Sequence, residues 1–394
     1  MQRLISLSKK KTETISDGFR RYLYEEIDWN ERLLVVTGQR GTGKTTLLLQ
    51  RLKETGGKGI YLSLDDIYFE INRLVTLVEE LYDEGYREFY LDEVHRYSHW
   101  SKDLKNVYDN YADLHMVVTG SSILELSKGR QDLSRRAAVY HLAGLSYREY
   151  LQLRHDLKFD VLPIEDILKT HHEISSGYHD RADIFKTFSE YLRYGYYPFF
   201  NEGIQTYPQK LREMASLVLD IDVAPFEELN HTTVRNMKKL IYVISKSVPF
   251  KPNISKLSVK LDLPRNSVLK MFDLLHRAEI FFLLRSDTKG ISYLQKPEKI
   301  YLHNPNLAWL YSENKPELGN MRETFFMSQL QVRHKVTSSR FADFMVDDTW
   351  TFEISGPAKT TEQIRGVPNA WIAADGIKGG TGNKIPLWLF GFLY

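Results

Sequence analysis

The stretch Val35 to Gln50, VVTGQRGTGKTTLLLQ, constrains the chain more than any other. A short apolar run closes in Val35 and Val36, glycines follow at 38, 41 and 43, and leucines recur at helical spacing after Lys44. That order reads as buried strand, loop and helix. Gly38, four residues, then Gly43-Lys44-Thr45 match G-x-x-x-x-G-K-[ST] without departure. Glycines let the main chain curl until its N–H groups converge on phosphate oxygens, and the helix that follows directs its positive end at them. Gly38, Gly41, Thr42, Gly43, Lys44, Thr45 and Thr46 are therefore the expected nucleotide-binding residues. Lys44 would reach the β and γ phosphates of ATP, and the Thr45 hydroxyl would ligate Mg2+.

Such a loop also needs an acid for the metal and a group to orient water. In REFYLDEVHR the strand-like Phe89, Tyr90 and Leu91 end in Asp92 and Glu93. Asp92 is expected on magnesium, and Glu93 on the attacking water. Two acids after a strand are, by themselves, also the mark of a solvated strand end. A further apolar run, Met116 to Val118, closes in Thr119, Gly120, Ser121 and Ser122. In a parallel sheet the carboxyl ends of the strands gather around the ligand, so Thr119 or Ser121 would touch the γ phosphate or its water. A turn with capping serines fits the same residues. Arg135 and Arg136 precede the strand-like run Ala137 to Leu142. Arg136 is the candidate to stabilise the transferring phosphoryl group, within its own chain or across an interface, against the plainer reading of a wet basic helix end.

GQRGTGKTT, FYLDEVH, VVTGSS and LAGLSYREYL, in this order, resemble the AAA+ superfamily, and within it the bacterial and archaeal ATPases with a nuclease-like C-terminal domain. The resemblance implies an α/β fold with a five-stranded parallel sheet flanked by helices, and it extends with less specificity to YLRYGYYP. It also implies assembly into homo-oligomers, which an arginine acting across an interface would require.

Composition narrows the setting. With 394 residues, 42% hydrophobic and 26% charged, the chain is long enough for more than one core. No run approaches a membrane-spanning length and the basic start lacks an apolar signal core, so a soluble, cytoplasmic protein with no membrane partner is expected. Zero cysteines exclude disulfides, thiol nucleophiles and cysteine-bound zinc. A net charge of +2 leaves any nucleic-acid question to local clustering. His171-His172-Glu173 reads as a solvated pair, because adjacent helical residues face different directions.

Lys251 to Arg285 reads as two helices about a turn at Leu263-Pro264, then a strand from Ile280 and a hairpin, an order that resembles a winged helix. Its lysines and arginines outnumber its acids, and Arg265, Asn266 and Lys270 head the second helix as candidate DNA contacts. Further on, a helix with Glu323, a strand with Asp343 and a strand with Glu353 resemble the PD-(D/E)XK, restriction-endonuclease-like fold. That resemblance implies two metal-binding acids beside a lysine. Ser355 stands where the lysine is expected, and Lys359 is the nearest substitute.

The expected domains are 1–150 for the ATPase, 151–245 helical, 246–303 winged helix and 304–394 nuclease-like, with the last plausible as a packing or binding module without cleavage. Three functions fit: an ATP-driven machine acting on DNA, a nucleotide-dependent switch, and a nuclease gated by ATP. Glu93 favours turnover over passive binding, and Ser355 counts against the third.

Overall fold

The computed structural model describes residues 1–120, 133, 135–179, 181–224, 229, 231–246, 249–286, 296–312 and 316–394. Two compact units divide the chain: Met1–Gly144 with Asp220–Glu227, and Leu145–Leu219 with Glu228–Tyr394.

In the first unit, five strands form one sheet: β1 (Leu33–Thr37), β2 (Gly59–Ser63), β3 (Glu88–Asp92), β4 (His115–Gly120) and β5 (Ala138–His141). Their order is β2-β3-β4-β1-β5, and every pair is parallel. All-parallel sheets are covered on both faces, which is why β1 is a continuous apolar run with every residue buried. Helices Lys44–Glu54, Leu74–Asp83 and Trp100–Asn110 supply the crossovers, and leucines and valines of the last two enter the core around Leu62, Leu91 and Val118.

The β2 edge is covered by helix Gln2–Thr14, which the sequence reading left unassigned. Leu4 and Ile5 join the core, and the Ser8 hydroxyl accepts the Tyr61 N–H at 2.9 Å. A strand edge that would otherwise pair with another chain is thereby closed. Arg21, 4% exposed, locks the other side of the sheet. Its guanidinium donates to the carbonyls of Thr42, Ala143 and Gly144, tying the glycine loop to the chain leaving β5.

The second unit joins helices to a mixed sheet. Helices Tyr147–His155, Ile184–Tyr194, Tyr207–Leu217 and His231–Ser245 precede the pair Ile254–Leu261 and Arg265–Arg277. Antiparallel strands β6 (Phe281–Leu284) and β7 (Lys299–Leu302) follow, and Phe250 bridges to Ile300. A second sheet, β12-β11-β10-β9-β8, contains β8 (Val336–Ser338), β9 (Phe344–Val346), β10 (Trp350–Ser355), β11 (Ala370–Ala374) and β12 (Lys384–Pro386). Here β10, β11 and β12 run parallel, and β8 and β9 antiparallel. Helix Leu318–Leu330 is buried on all sides from Thr324 onward, so it shows no polar face in the sequence.

Tyr191, Tyr196 and Tyr197 of YLRYGYYP are core residues, whereas Tyr194 is partly exposed. Asn306 donates to the Tyr191 and Leu192 carbonyls and accepts the Tyr196 N–H, while Gln329 donates to the Tyr191 hydroxyl at 2.9 Å. These bonds lie within the second compact unit. They also move the first boundary back from Tyr150, since the Leu145 N–H bonds the Tyr196 carbonyl. His171 departs from its expected solvation: it is buried against the Trp371 ring, and His172 alone is exposed. Among the described residues no helix is long and apolar enough to cross a membrane.

Candidate functional site

The glycine loop leaves β1 at the centre of the sheet. Gly38 has φ 146°, and a Cβ there would lie 2.3 Å from the Leu142 carbonyl oxygen, so only glycine fits beside the β5 exit. Gly43, at φ 98°, caps helix Lys44–Glu54 and turns the first N–H groups of that helix toward the loop. Lys44 is 5% exposed and donates to the carbonyls of Gly38 at 2.7 Å and Gln39 at 2.8 Å, which draws its ammonium across the loop. Thr42 is buried and its hydroxyl bonds Gln39, so it shapes the loop, whereas Thr46 is exposed at the helix start.

Because β4 lies between β1 and β3, Asp92 stands two strand spacings, about 10 Å, from the β1 axis. Thr45 crosses that gap, and its hydroxyl donates to Asp92 Oδ2 at 2.7 Å. Tyr61, from β2, donates to the same oxygen at 2.7 Å, and Thr119 at the end of β4 donates to Oδ1. Burial, together with the Asp92 charge, raises the Tyr61 pKa and keeps its hydroxyl a donor. The sequence reading named Thr45, Asp92 and Thr119 but missed Tyr61, whose only signal was its place on the neighbouring strand.

Glu93 begins the turn beyond β3 at φ 52°, ψ 41°, a left-handed conformation that costs a residue with a Cβ about 1–2 kcal/mol. Its N–H meets the Thr119 hydroxyl at 3.3 Å, and its carboxylate faces Arg40 at 3.8 Å and His95 at 3.5 Å. Arg40 and His95 also face Asp222, at 3.5 and 3.8 Å. Neither Arg40 nor Asp222 was singled out from the sequence, and Asp222 lies more than a hundred residues from either motif.

Two expectations need different statements. Arg136 lies two residues before β5, at the amino end of a strand parallel to β1, and so at the opposite end of the sheet from the glycine loop. It forms a forked pair with Asp109 at 2.8 and 3.0 Å, so within its own chain it is not a phosphoryl-facing arginine. Ser121 lies outside the described residues.

Two of the C-terminal acids, Glu323 and Asp343, meet at one lysine. Lys299 Nζ lies 3.3 Å from Glu323 and 3.0 Å from Asp343, and the Tyr301 hydroxyl donates to Glu323 at 2.6 Å. Asp343, just before β9, also accepts the Ile354 N–H at 3.1 Å. Glu353 on β10 pairs with Lys359 and accepts from Gln363 at 2.8 Å, while Ser355 turns its hydroxyl to the Gly356 carbonyl. Lys299 was missed because it comes from β7, outside the motif. Burial and the Asp343 charge raise the Glu323 pKa, and burial raises that of Glu353 despite Lys359. For Lys299 burial acts downward, but Glu323 and Asp343 outweigh it and hold the ammonium above its usual range. Among the described residues no three His, Asp or Glu side chains converge as a metal-ion group.

At the front of helix Arg265–Arg277, Arg265, Asn266 and Lys270 are exposed. Arg285 is half-buried, and burial lowers its pKa, so it does not extend that face.

The five-stranded parallel sheet and its glycine loop fit a P-loop α/β fold, and residues 30–151 match the family model described as AAA domain. The uncharacterized protein MJ1637 of Methanocaldococcus jannaschii is 28% identical over 297 residues, 70% of this chain. The match spans 61% of that relative's length. Among solved structures, the Walker-type ATPase paby2304 of Pyrococcus abyssi is 14% identical, with 75% of this chain and 96% of that one covered and a TM-score of 0.46. The RuvB Holliday junction branch migration motor of Thermotoga maritima is 16% identical, with 72% and 89% covered and a TM-score of 0.28.

The raised Glu323 pKa has a measurable consequence. A carboxyl that is easier to protonate when folded contributes stability that is lost as pH rises from the ordinary carboxylate range through its raised value. Glu323→Gln removes that loss, so the melting temperature of the variant should climb relative to wild type across this window. A constant difference between the two proteins would contradict the assignment.

Proposed function

We propose that the first unit binds and hydrolyses ATP with magnesium. The observation that supports this most is the convergence of loop, Thr45 and Asp92 at the carboxyl ends of β1 and β3, beside a strained Glu93. Two hard oxygen donors, the Thr45 hydroxyl and the Asp92 carboxylate, already lie within hydrogen-bond distance and suit magnesium, which prefers such ligands. When bound, the metal would neutralise phosphate charge. The loop N–H groups, Lys44 and the helix start would hold the phosphates and stabilise charge as it shifts to the leaving oxygen. Glu93 would orient the attacking water and accept its proton. Thr119, fixed to Asp92 and to the Glu93 N–H, holds these two acids in register.

ATP turnover is, in this reading, coupled to DNA through residues 246–303. Two helices about a left-handed Asp262, an antiparallel pair of strands and the Phe250 bridge support a winged helix, and Arg265, Asn266 and Lys270 lie on its exposed helix start. Residues 304–394 follow the order of a PD-(D/E)XK fold. With Lys299 and Lys359 already compensating its acids, and Ser355 turned to main chain, we assign that segment a binding or packing part without cleavage. Cytoplasmic residence and assembly of several copies belong to the same proposal, and Arg136 could serve the site only of a neighbouring copy.

Glu93→Gln should retain ATP binding while phosphate release falls about 10²- to 10⁴-fold. Unchanged turnover would remove Glu93 from its role. Titration with duplex DNA should show binding that weakens as salt rises, with Arg265→Ala or Lys270→Ala each reducing the salt slope by about one. No binding at low salt would leave the nucleotide-dependent switch as the better reading.

A further inference from the structure

We propose that Asp222 is a positioning residue for ATP hydrolysis, acting on Glu93 through Arg40 and His95. The inference rests on the ATPase reading above. Asp222 belongs to the stretch Asp220–Glu227, which clusters with the first unit although the chain on both sides of it belongs to the second. It sits in the π-helical turn Val218–Val223, a wide turn of the kind often found at functional sites. The side chain is 3% exposed, and among the described residues neither carboxylate oxygen has a hydrogen bond. A buried carboxylate in that condition is costly unless nearby cations compensate it. Arg40 and His95 are the groups that face it.

Those two residues also face Glu93. Arg40 NH2 lies 3.5 Å from Asp222 and 3.8 Å from Glu93, and His95 Nε2 lies 3.8 Å and 3.5 Å from the same two carboxylates. Each basic group is thus shared, at distances longer than a hydrogen bond, between an acid that reacts and one that does not. Arg40 lies inside the glycine loop, two residues after Gly38, so its position answers to whatever the loop holds. A guanidinium committed to Glu93 would cover the oxygen that must meet water. Asp222 draws the guanidinium away and leaves Glu93 accessible.

Steady-state phosphate release by the full chain, with ATP affinity measured separately by calorimetry, tests the inference. Asp222→Asn keeps the shape and removes the charge, so kcat should fall about tenfold while KM and ATP affinity stay within about twofold. Asp222→Glu should recover part of the loss. In an Arg40→Gln background the Asp222→Asn change should cost much less, since the group it acts through is gone. Wild-type kcat in Asp222→Asn overturns the inference alone, as does loss of ATP affinity, which would show that Asp222 shapes the loop instead. Should Asp222→Asn fail to fold, His95→Gln removes the second bridge, and an unchanged kcat there overturns the inference. A wild-type protein that binds ATP without releasing phosphate would take down the ATPase reading and this inference with it.

Discussion

One buried carboxylate, Asp92, holds the nucleotide-site elements of the first unit in place. Three hydroxyls donate to it: Thr45 from the helix after the glycine loop, Tyr61 from β2 and Thr119 from β4. Hydrogen bonds to a charged group contribute roughly 1.5–3 kcal/mol each, and a buried carboxylate without them would be strongly disfavoured. Asp92 is 3% exposed, so it depends on those donors as they depend on it. The order of the strands makes this possible. With β4 between β1 and β3, the end of β4 delivers Thr119 to the middle of the gap, where it meets both Asp92 and the Glu93 N–H. Loop, Asp92 and Glu93 are thereby fixed to one another.

Around that anchor the charges of the first unit are arranged in pairs of unequal commitment. Lys44 bonds loop carbonyls at short distance, and Arg21 bonds three more on the loop's flank. Arg40 and His95, by contrast, hover between two carboxylates. A site built this way has a rigid phosphate cradle and one soft electrostatic contact, located at the acid that would handle water. The second unit shows the opposite arrangement. There Lys299 is held close to both Glu323 and Asp343, Tyr301 adds a hydroxyl, and the acids are internally balanced.

Much of the first unit was legible in the sequence, for physical reasons. Strands covered on both faces must be apolar throughout, so VVT, FYL and MVV announce themselves, and glycines with positive φ mark where the loop must curl. Asp92, Glu93 and Thr119 follow because they terminate such strands. What escaped were partners supplied from far along the chain. Tyr61 looks like any strand tyrosine, and Asp222 is one of several acids between Asp220 and Glu228 with nothing in the sequence to single it out. Lys299 comes from β7, ahead of the segment in which the acids stand. Arg136 misled for the converse reason: its proximity in sequence to β5 concealed that it lies at the wrong end of that strand. His171 was read as wet from its neighbours, though Trp371, two hundred residues later, covers it.

The central claim is that the glycine loop grips a nucleoside triphosphate through Lys44 and the helix start. Titration calorimetry of ATP with magnesium into the folded full chain tests it most directly, beside a Lys44→Ala variant with matching melting behaviour. The account predicts saturable heat for the wild-type protein and loss of most of that affinity in the variant. Folded wild-type protein that takes up no ATP, or a variant that binds as tightly as wild type, would contradict it.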